Sequence, residues 1–299
     1  MKRARIIYNP SAGRESFKKD LPIVLQRFEQ AGYETSAHAT TGEGDATVAA
    51  EYAVEQEFDL IVIVGGDGTI NEVIHGICEA EYRPNLGIIP AGTTNDFARA
   101  LKIPRDTKKA VDIILDNKIQ PIDVGKVDDK YFINIAGGGD LTELTYDVPI
   151  KLKTVLGQLA YYIKGIEMLP FLSPQQTKIE YDGEVFEDEI MLFLISNTNS
   201  IGGFEKLAPD ARLNDGYLDL IILKKVNLAE FIRIATLALR GNHLEDEHVI
   251  YKKAKHIIVT PQNRMQLNID GEYGGLLPGE FRNLKEHLNI YVPAKIIEE

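Results

Sequence analysis

The chain has 299 residues, 44% hydrophobic and 26% charged, which fits a folded globular protein of about two domains and excludes a largely disordered one. Its single cysteine, Cys78, excludes an intrachain disulfide and a cysteine-based zinc site. The net charge of −12 argues against nucleic acid as the main partner, although residues 1–19 carry six basic side chains and one acidic side chain. No apolar run approaches the ~20 residues that span a bilayer, so we expect a cytoplasmic protein.

The N-terminal part of the chain alternates strand and helix patterns, which is typical of a parallel sheet flanked by helices. Residues 60–64 form a continuous apolar run and predict a central strand that is buried on both faces. The first helix is predicted from apolar residues spaced i, i+3, i+4, i+7, which are Leu21, Val24, Leu25 and Phe28, and from the stop at Gly32. The predicted strands are 4–8, 35–39, 60–64 and 86–89, and the predicted helices are 16–31, 45–56, 69–80, 95–101 and 107–117.

After Ile122 strand patterns dominate, and Asp-Gly turn signals recur at 182–183, 215–216 and 270–271. Two amphipathic helices are predicted in this part, at 151–169 and 227–241. On the second of these helices we expect an inner face formed by Leu228, Phe231, Ile232, Ala235 and Leu239. We expect His243 and His248, in the charged loop that follows, to be solvated.

These patterns predict an α/β fold in two domains. The first is a Rossmann-like domain with a parallel sheet and helices, residues 1–124, to which the loops described next assign nucleotide binding. The second is an antiparallel, β-rich sandwich domain, residues 125–289, and we expect the tail 290–299 to pack back on the first domain.

Three loops rich in small residues follow predicted strands, at 9–13, 65–69 and 90–96. In an open parallel sheet such loops gather at the carboxyl ends of the strands, where ligands bind. Glycines let backbone N–H groups approach a phosphate closely, so three such loops predict a nucleotide site. A carboxylate among these amides, Asp67, indicates a cation such as Mg²⁺ between it and the phosphates. The loops match neither the Walker P-loop nor the Gly-x-Gly-x-x-Gly pattern of dinucleotide folds.

The loops Gly65-Gly66-Asp67-Gly68-Thr69 and Gly92-Thr93-Thr94-Asn95-Asp96-Phe97-Ala98-Arg99 together resemble the catalytic region of diacylglycerol-type lipid kinases. The resemblance is strongest to the soluble diacylglycerol kinases of Gram-positive bacteria, and it extends from Asn9 to Glu272. The first motif is shared with NAD kinases and 6-phosphofructokinases, whereas the second is specific to the lipid kinases. The resemblance implies that ATP phosphorylates the free hydroxyl of diacylglycerol, giving phosphatidic acid and ADP.

The resemblance also implies roles for individual residues. Glu272 would be the general base for the lipid hydroxyl, Asp67 would act through a catalytic Mg²⁺, and Asp123 would support the same constellation from the domain junction. A structural Mg²⁺ in the second domain would be held by the Asp215 side chain and by the carbonyls of Arg212 and Tyr217, with Asp96 bridging through water. The ATP site would be lined by Asn9, Pro10, Ser11, Ala12, Gly13, Thr40, Gly66, Asp67, Gly68, Thr69, Ile70, Asn71, Glu72 and Thr93. Because Thr40 is followed by Thr41, which threonine contacts the nucleotide stays open.

A lipid substrate requires the protein to work at a bilayer surface. Arg14, Lys18 and Lys19 form one basic group beside the first loop, and Lys153 and Lys164 form another on one helix face. We therefore expect Arg14 and Lys164 to face the anionic inner surface of the cell membrane. The resemblance also implies a homodimer. Four alternatives stay open: a kinase of phosphatidylglycerol, a kinase of a sphingoid base, an NAD kinase, and a catalytically silent nucleotide-binding regulator.

Overall fold

The computed structural model describes residues 1–12, 17–139, 173–199 and 207–297. Gly13, Arg14, Lys164 and the predicted helix 151–169 lie outside these residues. The chain divides into two compact units, the first formed by Met1–Ile122 and Glu286–Glu299 and the second by Asp123–Lys285. None of the helices in the described ranges is both long and apolar enough to cross a bilayer.

Up to residue 115 the first unit alternates strands and helices, and each of these elements lies within two residues of its predicted bounds. In chain order they are β1 Lys2–Tyr8, α1 Phe17–Gln30, β2 Tyr33–Ala39, α2 Asp45–Glu55, β3 Leu60–Gly65, α3 Asp67–Cys78, β4 Asn85–Pro90, α4 Asp96–Ala100 and α5 Thr107–Leu115.

The strands of the first unit form a parallel sheet in the order β4-β3-β1-β2. The prediction for β3 is confirmed, because all six of its residues are buried between two neighbouring strands. Ile290, from the C-terminal segment of this unit, pairs in parallel with Leu86 of β4. The loops after β1, β3 and β4 therefore leave the same edge of the sheet, where ligands bind in open parallel sheets.

The second unit is rich in antiparallel strands, so the predicted fold class is confirmed. The elements after α5 are β5 Ile119–Val127, β6 Lys130–Phe132, β7 Ile135–Gly138, β8 Gln175–Tyr181, β9 Glu184–Ser196, β10 Leu218–Lys224, α6 Leu228–Arg240, a 3₁₀ turn His243–Glu245, β11 Val249–Ala254, β12 His256–Pro261, β13 Gln266–Ile269, β14 Glu272–Leu276, β15 Gly279–Tyr291 and α7 Ala294–Ile297, the last of which belongs to the first unit. The strands of the second unit include the order β14-β13-β7-β9-β8-β12, with β10 between β9 and β11.

The predicted bounds of α6 are confirmed, and its predicted inner face is wrong in part: Phe231 packs against the buried cluster as expected, but three other residues of that face do not. Leu228, Ile232 and Leu239 are 49%, 50% and 60% exposed, whereas Ile234 and Ala238 are buried. The helix is apolar around most of its circumference, so its sequence periodicity does not determine which face meets the sheet. Ile234 packs with the buried side chains of β9, β10 and β11, and this contact fixes the rotation of the helix.

Candidate functional site

One cavity in the first unit brings together residues from separate predicted nucleotide loops. Its volume is about 350 Å³. The predicted residues that line it are Asn9, Pro10, Ser11, Thr40, Thr69 and Glu72. It is also lined by Thr41 and by three residues that were not predicted, Gly42, Glu43 and Ala46. Thr40 and Thr41, either of which could contact the nucleotide, therefore both line this cavity.

The local hydrogen bonds fix the walls of this cavity. The Asn9 side-chain carbonyl accepts from the amide and hydroxyl of Ser11 at 3.0 and 2.7 Å, which closes a tight turn directly after β1. Thr41 donates its amide and hydroxyl to Asp45 at 2.7 and 2.8 Å. These bonds, with a smaller contribution from His38, hold the pKa of the Asp45 carboxyl below its usual range. Glu72 accepts from the Ala46 amide at 3.1 Å and so satisfies an amide at the start of α2.

Other predicted nucleotide residues do not line this cavity. Ala12, Gly66, Asp67, Gly68, Asn71 and Thr93 are absent from its lining, and so is Ile70. The Ile70 side chain is fully buried in the core, so only its backbone is available to a ligand. Its amide already donates to the Gly66 carbonyl at 3.1 Å as part of the first turn of α3.

The loops after β3 and β4 touch through their glycines. A Cβ added to Gly92 would lie 2.4 Å from the Gly66 Cα and 2.8 Å from the Asn95 side-chain carbonyl. Asn95 adopts left-handed backbone angles, and its side-chain amide exchanges two 2.8 Å hydrogen bonds with the Gly92 backbone. The glycines at 66 and 92 are therefore required by backbone-to-backbone packing, in addition to any role in binding a phosphate.

The side chain of Asp67 binds the backbone at the start of α4. Its two carboxylate oxygens accept from the backbone amides of Asp96 and Phe97 at 3.0 and 3.1 Å. Asp67 thus satisfies two free amides in the first turn of α4. Each carboxylate oxygen has more than one lone pair, so these bonds leave acceptor capacity for a cation.

Two arginines hold the loop that precedes α4. Arg99 donates to the Thr94 carbonyl at 2.8 Å, and Arg105 donates to the carbonyls of Thr93 and Thr94 at 2.5 and 3.2 Å. Arg99 also lies 3.4 Å from the Asp96 carboxylate. With its carbonyls bound in this way, the loop is fixed before any ligand arrives.

Asp123 is fully buried at the first position of the second unit. Its carboxylate accepts from the Gly216 amide at 2.6 Å and from the Asn283 side chain at 3.3 Å. Its own amide donates to the Leu213 carbonyl at 2.6 Å. Asp123 therefore anchors the segment 210–217, which contains the predicted structural metal ligands.

The segment 210–217 also binds a lysine. Lys253 lies 2.7 Å from one carboxylate oxygen of Asp215 and 2.8 Å from the Asp210 carbonyl. The other Asp215 oxygen accepts from the Tyr217 amide at 3.0 Å. The Tyr217 carbonyl accepts from Asn283 at 3.1 Å.

The oxygens in this segment fit the ligand preference of Mg²⁺. A carboxylate and main-chain carbonyls are the hard donors that Mg²⁺ takes, and one of these carboxylate oxygens already pairs with the Lys253 ammonium. Within the described ranges no group of three or more His, Cys, Asp or Glu side chains is placed to hold a metal. A site here would therefore depend on Asp215, on carbonyls and on water.

Glu272 is the exposed first residue of β14. The turn before it is fixed by Asp270, whose carboxylate accepts from the amides of Ile133, Asn134 and Ile135 at 2.9 Å each. Asp270 and Gly271 have positive φ angles of 50° and 94°, as expected for an Asp-Gly hairpin turn. The anchoring role of Asp270 was not predicted, because its partners are more than 130 residues away in the chain.

Comparison with known proteins identifies the class to which this fold and these loops belong. Residues 3–127 match the diacylglycerol kinase catalytic domain, and residues 147–292 match the YegS C-terminal NAD kinase beta sandwich-like domain. The boundary between the two matches falls near the start of the second unit.

Similarity to individual proteins covers the whole chain. The chain is 65% identical to a diacylglycerol kinase from Bacillus subtilis, over 100% of this chain and 99% of that protein. It is 55% identical to a diacylglycerol kinase from Staphylococcus saprophyticus, over 100% of this chain and 98% of that protein. A crystal structure of a diacylglycerol kinase from Bacillus anthracis aligns with a TM-score of 0.83 at 28% identity, covering 99% of this chain and 98% of that one. The chain therefore belongs to the diacylglycerol kinase family.

Proposed function

We propose that the protein transfers the γ-phosphate of ATP to the free hydroxyl of diacylglycerol, giving phosphatidic acid and ADP. The observation that carries this proposal is the full-length similarity, at 65% identity, to a diacylglycerol kinase. The cavity between the predicted loops of the first unit supports a bound nucleotide, because it joins residues that follow β1 with residues of α3.

Phosphoryl transfer requires alignment, charge neutralisation and a group that takes the proton of the acceptor. In this proposal Asn9, Thr40, Thr69 and Glu72 contact the nucleotide, and the rigid glycine loops offer backbone amides to its phosphates. Glu272 accepts the hydroxyl proton as the oxygen attacks phosphorus. The support for this role is that Glu272 is an exposed carboxylate on a turn that Asp270 fixes.

The proposal includes Mg²⁺ at two places. Asp67 would hold the ion that accompanies ATP, and that ion, when bound, neutralises charge on the phosphates. Asp215, with the carbonyls of Arg212 and Tyr217, would hold the structural ion. Asp123 would support the catalytic constellation, and its carboxylate also binds the Gly216 amide beside Asp215.

A coupled ADP-release assay with Mg-ATP tests the acceptor. We expect turnover with diacylglycerol in anionic mixed micelles that exceeds turnover with phosphatidylglycerol, a sphingoid base or NAD⁺ as parallel acceptors. Turnover with NAD⁺ alone would overturn the lipid assignment. Nucleotide binding without turnover on any acceptor would instead indicate a catalytically silent regulator.

We also propose that the protein acts as a peripheral, cytoplasmic homodimer on the inner face of the membrane, with Arg14 and Lys164 towards the lipid. Each basic side chain near an anionic surface contributes roughly 1 kcal/mol. Changing both residues to Glu should therefore reduce sedimentation with phosphatidylglycerol-containing vesicles. Unchanged sedimentation would contradict this part of the proposal. The double variant Lys178→Glu/Lys225→Glu makes the same change in net charge at two other exposed lysines and is the control. Analytical ultracentrifugation of the wild type tests the dimer.

A further inference from the structure

The segment 210–217 and Asp219 bind a cation that belongs to the chain itself, the ammonium group of Lys253. Besides its contacts with Asp215 and the Asp210 carbonyl, the Lys253 ammonium lies 3.6 Å from a carboxylate oxygen of Asp219. Asp219 pairs directly opposite Lys253 in the β10–β11 ladder, so both side chains lie on the same face of the sheet. One ammonium therefore lies within ion-pair distance of two carboxylates.

Asp219, the second of these carboxylates, pairs with no cation other than Lys253 among the described residues. Asp219 is fully buried, and its hydrogen-bond donor at the oxygen near Lys253 is the neutral Tyr251 hydroxyl. Its other oxygen has no hydrogen-bond partner in the described part of the chain. Lys253, which is itself partly shielded from water, is thus the one cation that Asp215 and Asp219 share among the described residues.

We propose that Lys253 is a resident cation that holds this segment and weakens the binding of a divalent cation at Asp215. The inference rests on the metal site included in the proposed function. A divalent ion that binds Asp215 has to share that carboxylate with an ammonium 2.7 Å away, and like charges at such separations repel strongly outside bulk water. Lys253 therefore sets the affinity of the site for its metal.

Mn²⁺ binding to the nucleotide-free protein tests the proposal, with unbound Mn²⁺ measured by electron paramagnetic resonance. Lys253→Gln removes the charge but keeps a side-chain donor for the Asp210 carbonyl. We expect this variant to bind Mn²⁺ at least about tenfold more tightly than the wild type. Lys253→Arg, which keeps the charge, should bind like the wild type.

Two further variants locate the effect. Adding Asp215→Asn to Lys253→Gln should abolish the gain in affinity. Lys252→Gln is the matched control, because Lys252 lies on the opposite face of β11 and pairs with Glu184 at 3.1 Å. If Lys253→Gln does not fold, Lys253→Met is the second variant, because its side chain is also neutral although it has no hydrogen-bond donor.

Equal or weaker Mn²⁺ binding by the neutral variants would overturn the proposal, and so would the absence of binding in every variant. A gain that persists in the Asp215→Asn background would also contradict it. The measurement uses neither ATP nor lipid. A failure of the proposed kinase activity would therefore leave its result unchanged, and the two failures are distinguishable.

Discussion

Replacing Glu272 by Gln should lower kcat for diacylglycerol by about 10²- to 10⁴-fold and leave the Kd for ATP unchanged. The amide has nearly the shape of the carboxylate but cannot accept the proton of the attacking hydroxyl. Glu272 belongs to the second unit, whereas the nucleotide cavity lies within the first. Steady-state kinetics in mixed micelles, with ATP binding measured by titration calorimetry, separates the two effects.

Glu187→Gln is the matched control for this prediction. Glu187 is also an exposed glutamate on a strand of the second unit, and we place it in no site. Its kcat should equal that of the wild type. A Glu272→Gln enzyme with unchanged kcat would show that another group accepts the proton.

Replacing Gly92 by Ala should lower kcat/KM for ATP by about 10²-fold, because a small displacement of groups that position a substrate costs about that much. The new methyl group would overlap the Gly66 backbone at 2.4 Å, and backbone cannot rotate away as a flexible side chain can. The two glycine loops would have to separate. Kinetics at varied ATP concentration and a thermal unfolding scan measure the loss of binding and of stability.

Gly42→Ala is the stability control for this substitution. A Cβ at Gly42 would meet no atom within 4 Å, so the unfolding midpoint should not fall. A Gly92→Ala protein that binds ATP as tightly as the wild type would contradict the view that contact between the loops shapes the nucleotide site.

Local signals were sufficient to predict the elements of the first unit up to residue 115, but not its C-terminal strand and helix. The apolar run that became β3 is buried throughout, and the glycine-rich loops follow the strands as expected. These features depend on residues close together in the chain, and the parallel-sheet rule then places the loops at one edge. The resemblance to lipid kinases also predicted the class of protein, and the comparisons confirm that class.

Contacts between distant residues explain what the sequence did not predict. Asp67 was expected among phosphate-binding amides, but it accepts amides of α4 about 30 residues further along the chain. Asp270 is predicted only as a turn residue, although it also accepts from three amides at residues 133–135, where β7 begins. Composition and spacing do not reveal such pairings, because each is created by the tertiary fold.

The burial of His243 is another feature that the sequence did not predict. It was expected to be solvated because its neighbours are charged, and this is wrong, since it is only 3% exposed. Its ring lies 2.9 Å from the Leu207 carbonyl, and burial lowers the pKa of the imidazole. A charged neighbourhood in the sequence does not determine which side chain the 3₁₀ turn directs inwards.

Transfer of labelled phosphate from [γ-³²P]ATP to lipid tests the proposed function most directly. The wild-type protein, incubated with Mg-ATP and diacylglycerol micelles, should place the label in phosphatidic acid in the organic phase, with one ADP formed for each labelled lipid. Label that stays in the aqueous phase while ADP accumulates, or label in a different lipid only, would contradict the assignment of diacylglycerol as the acceptor.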